Sequence, residues 1–243
     1  MGVSVNKEEL LKSVASSIGV ELSNKQVEQF IKYHEILVEW NSFMNLTGIT
    51  EYEEVVQKHF VDSLALCKII DLSNVNNLID IGTGAGFPGV PLKIAYPHLK
   101  VTLLDSLQKR IKFLNEVISQ LGLENVETIH GRAEDFAKPS MKRESYDLCV
   151  SRAVANLASL SEYCLPYVSV GGYFIPYKSG KVEKELEESK KAVFLLGGKI
   201  EEEVKFDLPD SDISRSLIKI KKASSTPKKY PRKSGLATKE PIK

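Results

Sequence analysis

The segment Leu78-Ile79-Asp80-Ile81-Gly82-Thr83-Gly84-Ala85-Gly86-Phe87-Pro88-Gly89 constrains the fold more than any other part of the chain. A short apolar run that breaks into glycines reads as a buried strand feeding a tight turn, because only glycine enters left-handed backbone without penalty. Val90 to Tyr96 then keeps helical spacing as far as Pro97. Strand, glycine turn and helix open a βαβ unit, in which the amides at the helix start face a cleft at the carboxyl end of the strand.

The middle of the chain repeats this rhythm. Lys100 to Asp105 reads as a strand, Leu107 to Gln120 as a helix stopped at Gly122, Asn125 to His130 and Tyr146 to Ser151 as strands. Leu157 to Leu165 is helical before Pro166, Gly172 to Lys178 is a strand, and Lys181 to Leu196 is a charged amphipathic helix ending at Gly197-Gly198. This pattern predicts an α/β fold with a doubly wound, mainly parallel sheet. The last two runs, Ile200 to Phe206 and Ser214 to Ile220, are close enough to pair as an antiparallel hairpin at one end of it.

Residues before Asn77 follow a different grammar. Leu10, Leu11, Val14 and Ile18 fall at helical spacing, and so, from an N-cap at Ser23 with Gln26 in the capping-box position, do Val27, Phe30, Ile31, His34, Leu37, Val38 and Asn41. Trp40 to Thr47 has no clean period and reads as a loop; Glu53 to Ile69 reads as a third helix. The expected organisation is a helical extension over 1–72, a sheet domain over 73–222 and a basic tail over 223–243.

Composition bounds the remaining possibilities. A chain of 243 residues with 42% hydrophobic and 27% charged residues buries a sizeable core, and its apolar stretches, such as Ala192 to Leu196, fall far short of the roughly 20 residues of a membrane span. The N-terminus lacks a signal peptide's apolar centre, so a cytoplasmic chain is expected, with a monomer as the default. Cys67, Cys149 and Cys164 are odd in number, widely spaced and set among apolar residues, which argues for core thiols and against disulfides or a metal site. The net charge of +1 hides an asymmetry: from Lys219 onward nine basic residues face Glu240 alone, a net +8, and the preceding 218 residues carry −7. Such a tail suits a polyanion; it also suits a solvated terminus.

The glycine turn contains Gly84-x-Gly86-x-x-Gly89, which fits a dinucleotide fingerprint. The phase does not: Gly82, not Gly84, stands at the strand's end. Pro88 and Pro91 remove amides that a pyrophosphate would need, and Asp80 would repel one. A carboxylate there suits an amino acid's ammonium group, as S-adenosylmethionine carries. Asp105, ending the second strand, is placed to accept both ribose hydroxyls of an adenosine or to cap the helix beginning near Leu107. After the third strand, Gly131-Arg132-Ala133-Glu134-Asp135 offers main chain and an acid to an adenine, although a first-turn helix acid is the ordinary reading of Glu134 alone.

Together these stretches resemble the bacterial 16S rRNA guanine-N7 methyltransferase family, also called glucose-inhibited division protein B. The likeness runs nearly end to end. It rests on Val38-Glu39-Trp40-Asn41 with Asn45-Leu46-Thr47, Lys58-His59-Phe60 with Asp62-Ser63, the block from Asp80 to Pro88, Asp105-Ser106, and Arg132-Ala133-Glu134. Ser151-Arg152-Ala153-Val154-Ala155 and the tail Thr226-Pro227-Lys228-Lys229-Tyr230-Pro231-Arg232-Lys233 complete it; Thr83 and Gly89 stand where relatives often carry other small residues. The resemblance implies a class I S-adenosylmethionine-dependent methyltransferase fold, Rossmann-like, with an N-terminal helical extension. It also implies cofactor contacts at Gly82, Phe87, Ala133, Glu134 and Arg152, beside Asp80, Gly84, Gly86 and Asp105. The implied reaction methylates one guanine in the 530 loop of small-subunit rRNA and leaves S-adenosylhomocysteine.

The residues favour this chemistry over neighbouring methyl transfers. Exocyclic amines usually call for an Asn/Asp-Pro-Pro-aromatic turn after the fourth strand, where this chain has Ser151-Arg152-Ala153. Pyrimidine carbons need a presented cysteine, and Cys149 and Cys164 lie inside predicted elements. Guanine N7 has an exposed lone pair and needs no general base, so alignment suffices. Arg152, at the carboxyl end of the fourth strand, is placed to touch cofactor, phosphate or guanine O6, or to form a helix-cap ion pair. His59 and Lys58 are candidates to reach over the cleft, against the ordinary packing role of a lone histidine, and Trp40 reads as a core anchor. Arg132, Lys228, Lys229, Arg232 and Lys233 are the expected phosphate contacts, with Tyr230 stacking. One tail and a short extension give little RNA-binding surface, so ribosomal proteins or rRNA shape are expected to share in recognition. An NAD(P)-linked oxidoreductase and a noncatalytic RNA-binding assembly factor remain as alternatives on the residues alone.

Overall fold

The computed structural model describes residues 6–152 and 155–242. Ala153 and Val154, within the motif that begins at Ser151, and Lys243 in the tail lie outside them.

The chain opens with α1 (Lys7–Ser17), capped by Asn6, and α2 (Asn24–Met44), which carries the expected Ser23/Gln26 capping box. α2 runs further than its composition indicates. Trp40 packs on Phe113 and Phe43, with ring centroids 5.8 and 5.6 Å away, so tertiary contact holds the last turn helical. The irregular stretch shrinks to the residues after Met44: Asn45 takes a φ of 52°, and the Asn41 side chain accepts from the amides of Leu46 and Thr47 at 2.7 and 2.9 Å. The third predicted helix is a continuous helical run of changing pitch: α3 (Tyr52–Val55), a π-helical stretch (Val56–Val61), α4 (Asp62–Leu64) and a 3-10 turn (Ala65–Lys68).

Seven strands then form one sheet: β1 (Asn77–Ile81), β2 (Lys100–Asp105), β3 (Val126–His130), β4 (Tyr146–Arg152), β5 (Val168–Ser179), β6 (Gly198–Asp207) and β7 (Ser214–Lys222), in the order β3-β2-β1-β4-β5-β7-β6. The first five pair in parallel, while β7 runs antiparallel to both β5 and β6. The connecting helices are α5 (Gly89–Ala95), α6 (Gln108–Leu121), α7 (Ala133–Phe136), α8 (Leu157–Cys164) and α9 (Glu183–Leu195). Strand order reverses between β1 and β4, which opens a crevice at their carboxyl ends.

The helical extension shares its core with the sheet. Phe30, Tyr33 and Phe60 are fully buried in one cluster with Phe87, Phe113 and Leu114, each such side chain contributing about 2–3 kcal/mol through burial. Because Tyr33 and Phe60 both pack on Phe87, the extension bears directly on the glycine turn.

The basic tail departs from expectation. It folds onto the body and ends in a short helix, α10 (Leu236–Lys239). Tyr230 is only 8% exposed and therefore presents no ring for a base to stack on. Arg232 forms a two-pronged pair with Glu162 (2.9 and 2.7 Å), a carboxylate that is itself buried, so its guanidinium is engaged within the protein instead of facing phosphate. Lys228, Lys229 and Lys233 remain exposed, as does Arg132.

Candidate active site

Three adjoining cavities follow the carboxyl ends of β1, β2, β4 and β5. A cavity of 230 Å³ lies against Gly131, Ala133, Glu134 and Tyr163. It shares Gly82 and Ser106 with a cleft of 380 Å³ lined by Gly84, Phe87, Asp105 and Arg110. That cleft shares His59 and Arg152 with a third cavity, of 670 Å³, bordered by Lys58, Asp62, Tyr177, Lys178 and Arg215. An apolar cavity of 540 Å³ beside Phe194 and Ile200 shares no residue with this groove.

The turn after β1 is set by hydrogen bonds to the neighbouring strand. Gly82 and Thr83 both donate to the Leu104 carbonyl, and Gly84 donates to Asp105 Oδ2 at 2.9 Å. From the other side the buried Tyr33 hydroxyl donates to the Ala85 carbonyl, a contact that α2's apolar spacing does not signal. Asp105 Oδ1 also accepts from the Leu107 amide at 2.9 Å, and Arg110 lies 3.1 Å from Oδ2. Asp105 thus meets the capping reading at the approach to α6 and also lines the cleft.

Asp80 corrects the sequence reading. It is completely buried beneath the turn and is not among the groove-lining residues, so it does not stand beside an open ammonium site. Its Oδ2 accepts from the Thr83 hydroxyl (2.7 Å) and the Gly89 amide (2.8 Å), organising the loop, while Oδ1 has no partner. Burial lifts its carboxyl to about 7, only partly opposed by those hydrogen bonds and by the Arg152 charge. The folded chain keeps this proton up to about pH 7, whereas the unfolded chain releases it near 3.8. Its contribution to stability therefore falls as pH rises through that window. Asp80→Asn, which keeps an acceptor and loses the charge, should gain in Tm relative to the parent from about pH 5 to about pH 8. Asp80→Ala, which orphans the Thr83 hydroxyl and the Gly89 amide, should melt lower at every pH. Thermal melts that do not separate the two variants would contradict this role.

The boundary between the second and third cavities is built by Phe87, His59 and Arg152. The His59 ring stacks on Phe87 at 4.5 Å between centroids, and the Arg152 guanidinium lies 5.1 Å over the same ring. Arg152 Nη1 donates to Asp62 Oδ2 (2.8 Å) and the Lys58 carbonyl (3.1 Å), and Nη2 lies 3.3 Å from His59 Nδ1. Asp62 receives Arg215 Nε at 3.0 Å on its other oxygen, so one buried carboxylate fixes two arginines. The π-helical stretch holds His59, and such widenings recur at functional sites because they re-aim side chains. Burial first, and the Arg152 charge second, push His59 down to about 4, leaving it neutral. Of the sequence candidates, the groove thus collects Gly82, Gly84, Phe87, Asp105, Ala133, Glu134, Arg132, His59 and Arg152; Gly86 lies behind the turn against Tyr33 and Val90. The sequence does not single out Asp62, Arg110 and Arg215 as site residues, since an isolated charge on a helix or strand carries no local signal of its partner.

A Cβ at Gly84 would meet nothing nearer than a backbone oxygen at 4.0 Å, so the turn leaves room for a ligand over its backbone, with the Asp105 carboxylate alongside. Fold and cleft define an S-adenosylmethionine-dependent methyltransferase. Solved structures agree on the fold: M. jannaschii TYW2 in complex with AdoMet has a TM-score of 0.54 at 16% identity over 68% of this chain and 76% of that one. A SAM-dependent methyltransferase from Aquifex aeolicus has a TM-score of 0.51 at 17% identity over 69% and 92%. The chain belongs to the rRNA small subunit methyltransferase G family, whose model matches residues 26–216. It is 61% identical to the ribosomal RNA small subunit methyltransferase G of Lachnoclostridium phytofermentans over 93% of both chains. It is 54% identical to that of Acetivibrio thermocellus over 96% of both. No helix among the described residues is long and apolar enough to cross a membrane.

Proposed function

We propose that this chain, acting as a cytoplasmic monomer, transfers the methyl group of S-adenosylmethionine to N7 of one guanine in the 530 loop of 16S rRNA, presented within the small ribosomal subunit. The observation that carries the proposal is the shared His59–Arg152 boundary between the glycine-turn cleft and the larger cavity. Adenosine is assigned to the cavity of Ala133 and Glu134 with its ribose at Asp105, and the target base to the cavity of Lys58, Tyr177, Lys178 and Arg215.

When bound, the cofactor supplies a methyl already activated on a sulfonium. Guanine N7 would bring its own lone pair and the sulfonium sulfur would keep the C–S electrons, so the transfer would ask no proton acceptor of this chain. What this chain has to provide is alignment. Arg152, clamped by Asp62 and the Lys58 carbonyl, offers fixed donors toward the purine edge, and His59 and Phe87 present flat faces that limit how base and methyl approach. The acids of the larger cavity are engaged: Asp62 by two arginines, Glu185 by Lys178 at 2.5 Å and by the Leu157 amide. Neither is free to act as a base. Exposed Arg132, on the groove's edge, and Lys228, Lys229 and Lys233 beyond it supply phosphate contacts.

Methyl transfer from labelled S-adenosylmethionine to small subunits from cells lacking this gene, with the product nucleoside identified by mass spectrometry, tests the reading. N7-methylguanosine in 16S rRNA supports it. Absence of transfer to subunits, assembly intermediates and bare rRNA, despite cofactor binding, would favour a noncatalytic binding factor. Equal methylation of a short naked hairpin and of subunits would contradict the presented-loop requirement.

A further inference from the structure

The docked C-terminal segment touches the cofactor groove from behind. Gly235 donates its amide to Glu134 Oε1 at 2.9 Å, and Thr238 Oγ1 lies 2.6 Å from the Tyr163 hydroxyl. Glu134 and Tyr163 both line the 230 Å³ cavity. Ser159, on the same helix as Tyr163, donates to the Ala237 carbonyl at 2.7 Å in a buried contact.

We infer that residues 226–240 form an outer wall of the adenosine pocket and position Glu134 and Tyr163, so that cofactor affinity depends on the docking of this segment. The inference rests on the assignment of adenosine to the cavity of Ala133 and Glu134. The segment is anchored well beyond what a solvated tail would need. Glu162, 1% exposed, holds Arg232; Arg143 donates to the Tyr230 carbonyl at 2.8 Å; the Thr226 amide donates to Glu144 at 2.7 Å. With the contacts at Gly235, Ala237 and Thr238, these anchors tie both ends of the segment to the sheet domain while Lys228, Lys229 and Lys233 stay exposed between them. A merely electrostatic tail requires exposed lysines; it does not require a backbone amide directed at a cofactor-pocket carboxylate.

Linkage makes the inference testable on the intact protein. If docking favours cofactor binding, then bound cofactor must favour docking by the same factor. Trypsin cleavage after Lys228, Lys229 and Lys233, followed by mass spectrometry, should slow by about fivefold or more when S-adenosylhomocysteine saturates the full chain, the lower end of ordinary coupling between sites. Thr238→Val, outside the groove, should raise the Kd for S-adenosylhomocysteine and the KM for S-adenosylmethionine while leaving the KM for the RNA substrate unchanged. A tail that serves only to grip RNA gives the reverse split. Ala133→Leu provides the control, since a larger side chain narrows the cavity itself. Unchanged affinity in Ala133→Leu would remove the adenosine assignment and the inference with it. Weakened affinity in Ala133→Leu, together with cleavage that ignores the ligand, would overturn the wall alone.

Discussion

Arg152→Ala is expected to lower kcat for 16S rRNA methylation by about two to three orders of magnitude, the range observed when a preorganised donor is removed from a reacting centre. Four contacts converge on this side chain, from Asp62, the Lys58 carbonyl, His59 Nδ1 and the Phe87 face, at the boundary where the proposed function has methyl and base meet. The variant also leaves a buried carboxylate with Arg215 as its remaining partner, so the stack of His59 on Phe87 loses its lateral support. Arg152→Lys restores the charge without the two-nitrogen fork and should recover less than about a tenth of the loss. Steady-state kinetics beside cofactor affinity measurements separate the outcomes. A kcat within a few-fold of the parent would show that Arg152 is a structural ion pair and no more.

Gly86→Ala should be far more damaging to stability than the same substitution at Gly84 in the same turn. Gly86 has a φ of +94°, and a Cβ there would lie 2.7 Å from the Tyr33 hydroxyl and from Val90 Cγ2, and 3.0 Å from Leu114 Cδ2. Those atoms belong to α2, α5 and α6, so relief requires moving the helical extension, the helix after the turn or the helix beyond β2. Backbone strain and overpacking together cost about 2–4 kcal/mol, which for a chain of this size lowers Tm by roughly 10 °C. Gly84→Ala provides the contrast. It also has positive φ, +64°, but its Cβ would open into free space over the cleft. It should cost only about 1–2 kcal/mol of backbone strain and act mainly by weakening cofactor binding. Melting curves and calorimetric titration of both variants check the pair; equal loss of Tm would contradict the packing argument.

The parallel sheet, its order of elements and the cofactor turn were legible in the sequence because the first four strands end in their own punctuation: glycines after Ile81, Asp105-Ser106 closing β2, Gly131 after His130, and Ser151-Arg152 closing β4. The features that escaped are long-range. Nothing beside Arg232 announces Glu162, 70 residues away, so a run of lysine and arginine read as an RNA-binding tail although its Tyr230 and Arg232 face inward. The sequence marks Asp80 as important at the turn, but whether a carboxylate lies above or below a loop depends on which way its strand's face is packed, and here it is buried beside Leu103 and Gly89. The π-helical widening around His59 leaves apolar spacing almost unaltered, and the pairing of Asp62 with Arg152 and Arg215 depends on strands that pair through β5.

The central claim is that methyl transfer proceeds by alignment, with no protein group accepting or donating a proton. Its most direct test is the single-turnover rate at saturating S-adenosylmethionine and RNA, followed from about pH 6 to about pH 9. His59, held near 4, is neutral throughout that range, and Asp80, which titrates near 7, is buried beneath the turn away from the groove. The account predicts a rate that stays level across the range, in the parent and in Asp80→Asn alike. A rate that rises about tenfold per pH unit on the acidic side, or a bell-shaped profile that a single groove substitution abolishes, would identify a proton-transfer residue and contradict it.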